Sequence, residues 1–246
     1  MLLCFSYSAR HPTRRARLAC ALTLGFTLGL VSHAPQAQPV PDTVAARVAV
    51  CTTCHGDQGR AGPDGFYPRI AGKPAGYLVN QLLNFQQGRR THRLMAHLVD
   101  PLSPAYLREM ARYFAALDLP YPAPLPTTAT PAVLAQGQRL ARDGDPARQL
   151  PACTACHGPA LTGVQPHTPG LLGLPRDYVN AQLGAWRTGT RQTAAPDCMA
   201  HMAQALTLDD IAAVSAWLAA QPLPRDTHPA PALTTPPPLR CAGGQP

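Results

Sequence analysis

Beyond its first 37 residues the chain repeats itself, and that repeat limits the fold more than any other feature. Cys51-Thr52-Thr53-Cys54-His55-Gly56 returns as Cys153-Thr154-Ala155-Cys156-His157-Gly158. Pro68, Gly72, Tyr77, Gln81, Leu82, Phe85 and Gly88 match Pro169, Gly173, Tyr178, Gln182, Leu183, Trp186 and Gly189. Arg90 then matches Arg191, Met95 matches Met199, Leu102 matches Leu206, and Leu107 and Tyr113 match Ile211 and Trp217. An ordered series in one register means two homologous domains. The repeat places a first domain over residues 38–118 and a second over 132–222. Between them lies the linker 119–131, whose five prolines make it extended and semi-rigid. Residues 223–246 form a second proline-rich stretch, unsuited to helix or strand.

Each domain reads as helical. Ala45–Val50 and Val133–Asp143 lead as helices towards the cysteine motifs, and Tyr77–Gln87 and Tyr178–Arg187 carry apolar residues at amphipathic spacing. Ser103–Leu117 and Thr207–Ala220 each open on an N-cap residue, with Asp209 and Asp210 in the first turn of the second. No strand-like alternation stands out, so the expected fold class is all-α, twice over. Aromatic residues make up only 6% of the chain, a thin supply for two cores. Something other than side chains is needed to fill them.

Cys-x-x-Cys-His supplies it, as the attachment signature of haem c. Residues at i, i+3 and i+4 share one face of a helical turn, so both thiols can reach the vinyl groups on one porphyrin edge. The histidine beside them then aims a ring nitrogen at the iron. Cys51, Cys54 and His55, and Cys153, Cys156 and His157, are the predicted haem-binding residues, giving two covalent haem c groups. A thioredoxin-like pair has no use for the histidine. A zinc site would have to join motifs about a hundred residues apart, each inside its own repeat.

A second axial ligand is expected from Met95 and Met199, which hold equivalent places 40 and 42 residues after their histidines, in loops ahead of a helix. A thioether is soft and neutral, and His/Met coordination favours ferrous iron. Met110 and Met202 do not recur in the repeat and read as core residues. His92, His97, His167 and His201 compete as ligands, but none recurs in register, so they read as exposed or secondary residues. Pro68 and Pro169 lie in loops that can offer a carbonyl to the second ring nitrogen of the ligating histidine. Cys198 and Cys241 are an even pair left over beyond the leader, which in an oxidising compartment points to a disulfide clamping the tail beside Met199. The alternative is that Cys198 ligates or reacts at the second iron.

The N-terminus reads as a secretory leader over residues 1–37, with a basic stretch from Arg10 to Arg17, the apolar run Leu18–Ser32, and small residues at Ala34–Ala37. A retained anchor is the competing reading, although the apolar run falls short of the roughly 20 residues needed to span a bilayer. A chain that receives haem is expected to cross unfolded, by the Sec route. The formal charge of +8 is misleading, because removal of the leader leaves 17 basic and 13 acidic residues. Four propionates would offset the remainder, and no basic stripe interleaved with aromatics appears, which argues against nucleic acid as a partner.

These residues closely resemble the cytochrome c4 family of dihaem class I cytochromes over roughly residues 44–222. The likeness is strongest in Arg47–Cys51 and from Gly144 through Pro159. The resemblance implies two tandem class I cytochrome c domains related by pseudo-symmetry, His55/Met95 and His157/Met199 ligation, and a periplasmic, often membrane-associated location. It further implies passage of electrons towards a terminal oxidase, with redox proteins as partners. Three features depart from the family: Ala46 in place of a glycine, three extra residues between Gly189 and Met199, and the cysteine-bearing tail. The expected function is an electron carrier, not an enzyme. The cytochrome subunit of a periplasmic dehydrogenase, and a dihaem peroxidase or sulfur-oxidising enzyme, are the alternatives.

Overall fold

The computed structural model describes residues 41–62, 65–124 and 126–242. The expected leader lies outside the described residues. In the first half the helices are α1 (Val44–Arg47), α2 (Ala49–His55), α3 (Ala75–Gln86), α4 (Arg93–Val99) and α5 (Pro104–Ala115). The second half follows the same order with α6 (Pro131–Arg142), α7 (Thr154–His157), α8 (Arg176–Thr188), α9 (Cys198–Ala205) and α10 (Leu208–Ala220). Among the described residues no helix is long and apolar enough to cross a membrane.

Local chemistry starts the longer helices. Ser103 Oγ accepts from Tyr106 N at the head of α5, and Thr130 Oγ1 accepts from Val133 N at the head of α6, each followed by a proline whose missing N–H costs nothing there. Thr207 and Asp210 form a reciprocal capping box on α10. In each half the last helix packs against an earlier one: α5 on α3, α10 on both α6 and α8. Two separate cores result. One centres on Leu78, Phe85, Leu107, Met110 and Phe114, the other on Leu140, Leu183, Ile211, Trp217 and Leu218. At the α6–α10 crossing, a Cβ on Gly137 would sit 2.2 Å from the Ala213 carbonyl oxygen, so glycine sets how closely those helices approach.

Three details differ from the sequence expectations. The helix before Cys51 breaks at Val48 and resumes as α2, which runs through the cysteine motif. Met95 and Met199 lie inside short helices, α4 and α9, instead of in loops ahead of a helix. His92 Nδ1 and Asp197 Oδ1 accept from Met95 N and Ala200 N, starting those helices a turn earlier than apolar periodicity suggests. A two-residue antiparallel ladder, β1 (Gly163–Val164) with β2 (Thr168–Pro169), is too short to show as alternation. The tail joins it through Ala230, which donates to Gly163 O at 2.9 Å and accepts from Gln165 N at 2.8 Å.

Candidate haem sites

α2 carries its Cys-x-x-Cys-His motif whole, α7 carries Thr154–His157 with Cys153 as its N-cap, and none of the four cysteines is in a disulfide. Burial pushes the Cys153 thiol up to about 11 and raises those of Cys51 and Cys156. A redox pair needs the opposite shift. These are sheltered thiols, close-set on one helical turn.

His55 and His157 are each 8% exposed. His55 Nδ1 lies 2.8 Å from Pro68 O, and His157 Nδ1 lies 2.7 Å from Pro169 O. A carbonyl can only accept, so Nδ1 carries the proton in both rings and Nε2 is left with its lone pair. Burial lowers the pKa of both imidazoles and keeps them neutral against the opposing pull of these hydrogen bonds. A neutral imidazole with Nδ1–H committed to a carbonyl is the form in which histidine binds a metal.

Met95 packs, with Cys51, against the first core, and Met199, with Cys153, against the second. Met110 is buried in the first core and Met202 packs against the second. Cys198 is disulfide-bonded to Cys241, with Cα atoms 5.4 Å apart, so its thiol is not available as a ligand. Of the competing histidines, His97 and His201 are exposed and His92 caps α4. His167 instead wedges against α3, where Gly76 leaves it room; its Nδ1 is buried without a partner.

The surface between the halves was not assigned a role from the sequence, although its residues repeat in register. Arg90 and Arg191 pair as an antiparallel bridge, with Thr91 N donating to Thr190 O and Gln192 N to Arg89 O. Arg90 donates to Gln81 Oε1 at 2.9 Å and to Gln182 Oε1 at 2.8 Å. Arg191 returns the pattern, to Gln182 Oε1 at 2.6 Å and Gln81 Oε1 at 2.9 Å. Two guanidinium groups thus share two neutral amide oxygens. Arg191 is 3% exposed, its Nε is buried without a partner, and burial together with Arg90 holds its pKa below the usual range. Arg191 also stacks 3.7 Å from the centroid of Trp186, whose Nε1 is likewise buried and unpartnered.

This donor set fits haem c. Paired thiols and a neutral imidazole stand on one helical face, and a thioether packs against the same core. Among the described residues Arg90 and Arg191 have tyrosine neighbours but no carboxylate. These cations and the orphaned N–H groups would suit propionate carboxylates, because buried charge is stable only when paired.

A family model for cytochrome c matches residues 134–221. The chain is 41% identical to a "Thiosulfate dehydrogenase electron acceptor" from Thiomonas intermedia, over 71% of this chain and 80% of that protein. It is 36% identical to cytochrome c4 from Pseudomonas aeruginosa, over 80% of this chain and 94% of the relative. Reduced cytochrome c4 from Pseudomonas stutzeri superposes with a TM-score of 0.62 at 32% identity, over 72% of this chain and 95% of that one. The thiosulfate dehydrogenase TsdBA from Marichromatium purpuratum matches with a TM-score of 0.63 at 35% identity, over 70% of this chain, which spans only 36% of that longer one. With the duplicated attachment motif and the all-α fold, these likenesses establish that the chain belongs to the cytochrome c4 family of dihaem class I cytochromes.

Proposed function

We propose that this chain is a periplasmic electron carrier that holds two haem c groups and passes single electrons between redox proteins. Cys51, Cys54, His55 and Met95 hold the first haem, in a domain over residues 38–118. Cys153, Cys156, His157 and Met199 hold the second, in a domain over residues 132–222. Haem iron supplies the redox chemistry by cycling between its ferric and ferrous states. The protein's part is binding, orientation and electrostatics. The carbonyls of Pro68 and Pro169 fix the tautomer and ring plane of each histidine, so Nε2 is the nitrogen offered to the iron. The thioethers of Met95 and Met199 would supply soft, neutral ligands to the two irons, and such ligands favour the reduced state. With a histidine and a methionine assigned to each iron, no open iron position would be left for a substrate, which favours a carrier.

The single observation that carries this reading is the duplicated histidine–proline hydrogen bond, made in the same way in both halves. The shared ring of Gln81, Arg90, Gln182 and Arg191 keeps the halves docked and so favours exchange of electrons within the molecule. The test is spectroscopic. Met95→Ala and Met199→Ala are each expected to lose the sulfur-to-iron absorption band of one haem, and the double variant to lose it completely. A band of full strength in either single variant overturns that ligand assignment.

A narrower reading, an electron acceptor for a thiosulfate dehydrogenase, is supported by the 41% identity to a protein of that description. It predicts rapid reduction of both haems by a catalytic amount of such an enzyme plus thiosulfate, and none with either alone. Failure of that reduction, with the carrier still reducible chemically, removes the narrower reading and leaves the broader one.

A further inference from the structure

The halves differ at one buried charge. Pro68, Gly72 and Pro74 match Pro169, Gly173 and Pro175, so Lys73 stands where the second half has Leu174. Leu174 packs against its own core. Lys73 is 4% exposed, and its side chain crosses into the other half, where Nζ donates to the carbonyl of Gly170 at 3.2 Å. Gly170 directly follows Pro169, whose carbonyl holds His157 Nδ1. Nζ also lies 5.9 Å from the centroid of the Tyr121 ring, and none of the ion pairs among the described residues includes it. A lysine buried with one carbonyl and a ring face, and with no carboxylate among the described residues, is an unfavourable arrangement unless its charge serves something nearby.

Resting on the two-haem reading above, we propose that Lys73 is a positioning residue lent by the first domain to the second haem, where its cation raises the reduction potential. Oxidation adds one positive charge at the iron, and a fixed cation in a low-dielectric interior opposes that change more strongly than it would in water. The hydrogen bond to Gly170 also restrains the segment that carries the Pro169 carbonyl, and with it the plane of the His157 imidazole. The target of the effect is specific. Lys73 Nζ reaches Gly170, next to the Pro169 that holds His157, and the second half offers no equivalent, since Leu174 stands at the matching place. Because the cation belongs to one half and its target to the other, the second potential depends on the halves remaining docked.

The experiment uses the full-length holoprotein, with each haem's potential resolved by spectroelectrochemistry and assigned by NMR of the ferric haem methyl groups. Lys73→Gln keeps a donor for Gly170 but removes the charge. It is expected to shift electron exchange between the haems about tenfold against the second, or about 59 mV for one electron, while the first potential moves much less. Lys73→Arg keeps the charge and is expected to retain the original second potential. An unmoved second potential in Lys73→Gln, equal shifts at both haems, or a fall in Lys73→Arg as large as in Lys73→Gln overturns the proposal. Fewer than two haems per chain, counted as the pyridine haemochrome, would refute the underlying reading as well. Two haems with unmoved potentials refute this inference alone.

Discussion

Both halves are closed by the proline-rich segment that follows them, and they close in different ways. In the first, Arg69 is 4% exposed and donates to the carbonyls of Ala71, Leu119 and Pro120, while its guanidinium lies 3.8 Å from the centroid of Tyr121. The linker is therefore tied down by hydrogen bonds and one stacked cation. The second half has Gly170 at the matching place and uses the tail instead. Ala230 pairs with Gly163 and Gln165, on the loop that leads to Pro169. Further on, Cys241 is joined covalently to Cys198, the neighbour of Met199. One segment thus braces the histidine side of the second site and also its methionine side. The same scaffold holds one site with reversible contacts and the other with a covalent strap. The three extra residues before Met199 fall in the loop that the strap secures, since Ala242 N donates to Pro196 O there.

Cutting that strap should break the comparison most strongly. The disulfide joins residues 43 apart, and in Cys241→Ser the second half should lose about 2–4 kcal/mol of stability, the usual contribution of a native bridge closing a loop of this size. The chain's two tryptophans, Trp186 and Trp217, both lie in the second core. Denaturant unfolding followed by their fluorescence reads that half alone, while the Met95 band reports the first. The expected outcome is an earlier fluorescence transition and loosened Met199 ligation, with the Met95 transition unchanged. Equal shifts in both transitions would mean that the tail braces the whole molecule instead of one site.

Much of this was legible in the sequence because the residues that carry it repeat. The attachment motifs, the histidine–proline pairing and the longer helices recur in both halves, while the disulfide partners follow from the even cysteine pair left beyond the motifs. Arg90, Arg191, Gln81 and Gln182 were visible as matches, but their meaning needed the tertiary structure. A residue that repeats because the two halves face each other looks the same, in one dimension, as a residue that repeats because each half needs it. Lys73 and Arg69 lay outside the pattern for the opposite reason: each replaces its counterpart, and a comparison that searches for matches passes over differences. The short helices around Met95 and Met199 escaped because a histidine cap is an uncommon start signal and because seven or eight residues give periodicity little room.

A smaller effect sharpens the same contrast at the head of the last helix. Thr207 Oγ1 accepts from Asp210 N, and Asp210 Oδ2 accepts from Thr207 N at 3.0 Å. Asp210 is 4% exposed and also accepts from Arg148 Nη1 at 2.6 Å and Gln136 Nε2 at 2.8 Å. Burial alone would raise its pKa, but these hydrogen bonds outweigh it and hold the group at about 2. At the matching place in the first half Ser103 caps Tyr106 N, and tyrosine has no carboxylate to return the bond. An unfolded aspartate titrates near 3.9. The stability that Asp210 contributes is therefore complete above about pH 4 and is lost as the pH falls through about 2, an amount on the order of 2 kcal/mol. Tryptophan fluorescence during acid titration should show the second half weakening across that window. Asp210→Asn should be less stable at neutral pH and should lack that part of the acid dependence. The same acid slope in the variant and the parent would mean that the carboxylate is not held down by its partners. The difference between the two helix heads would then rest on the Thr207 cap alone.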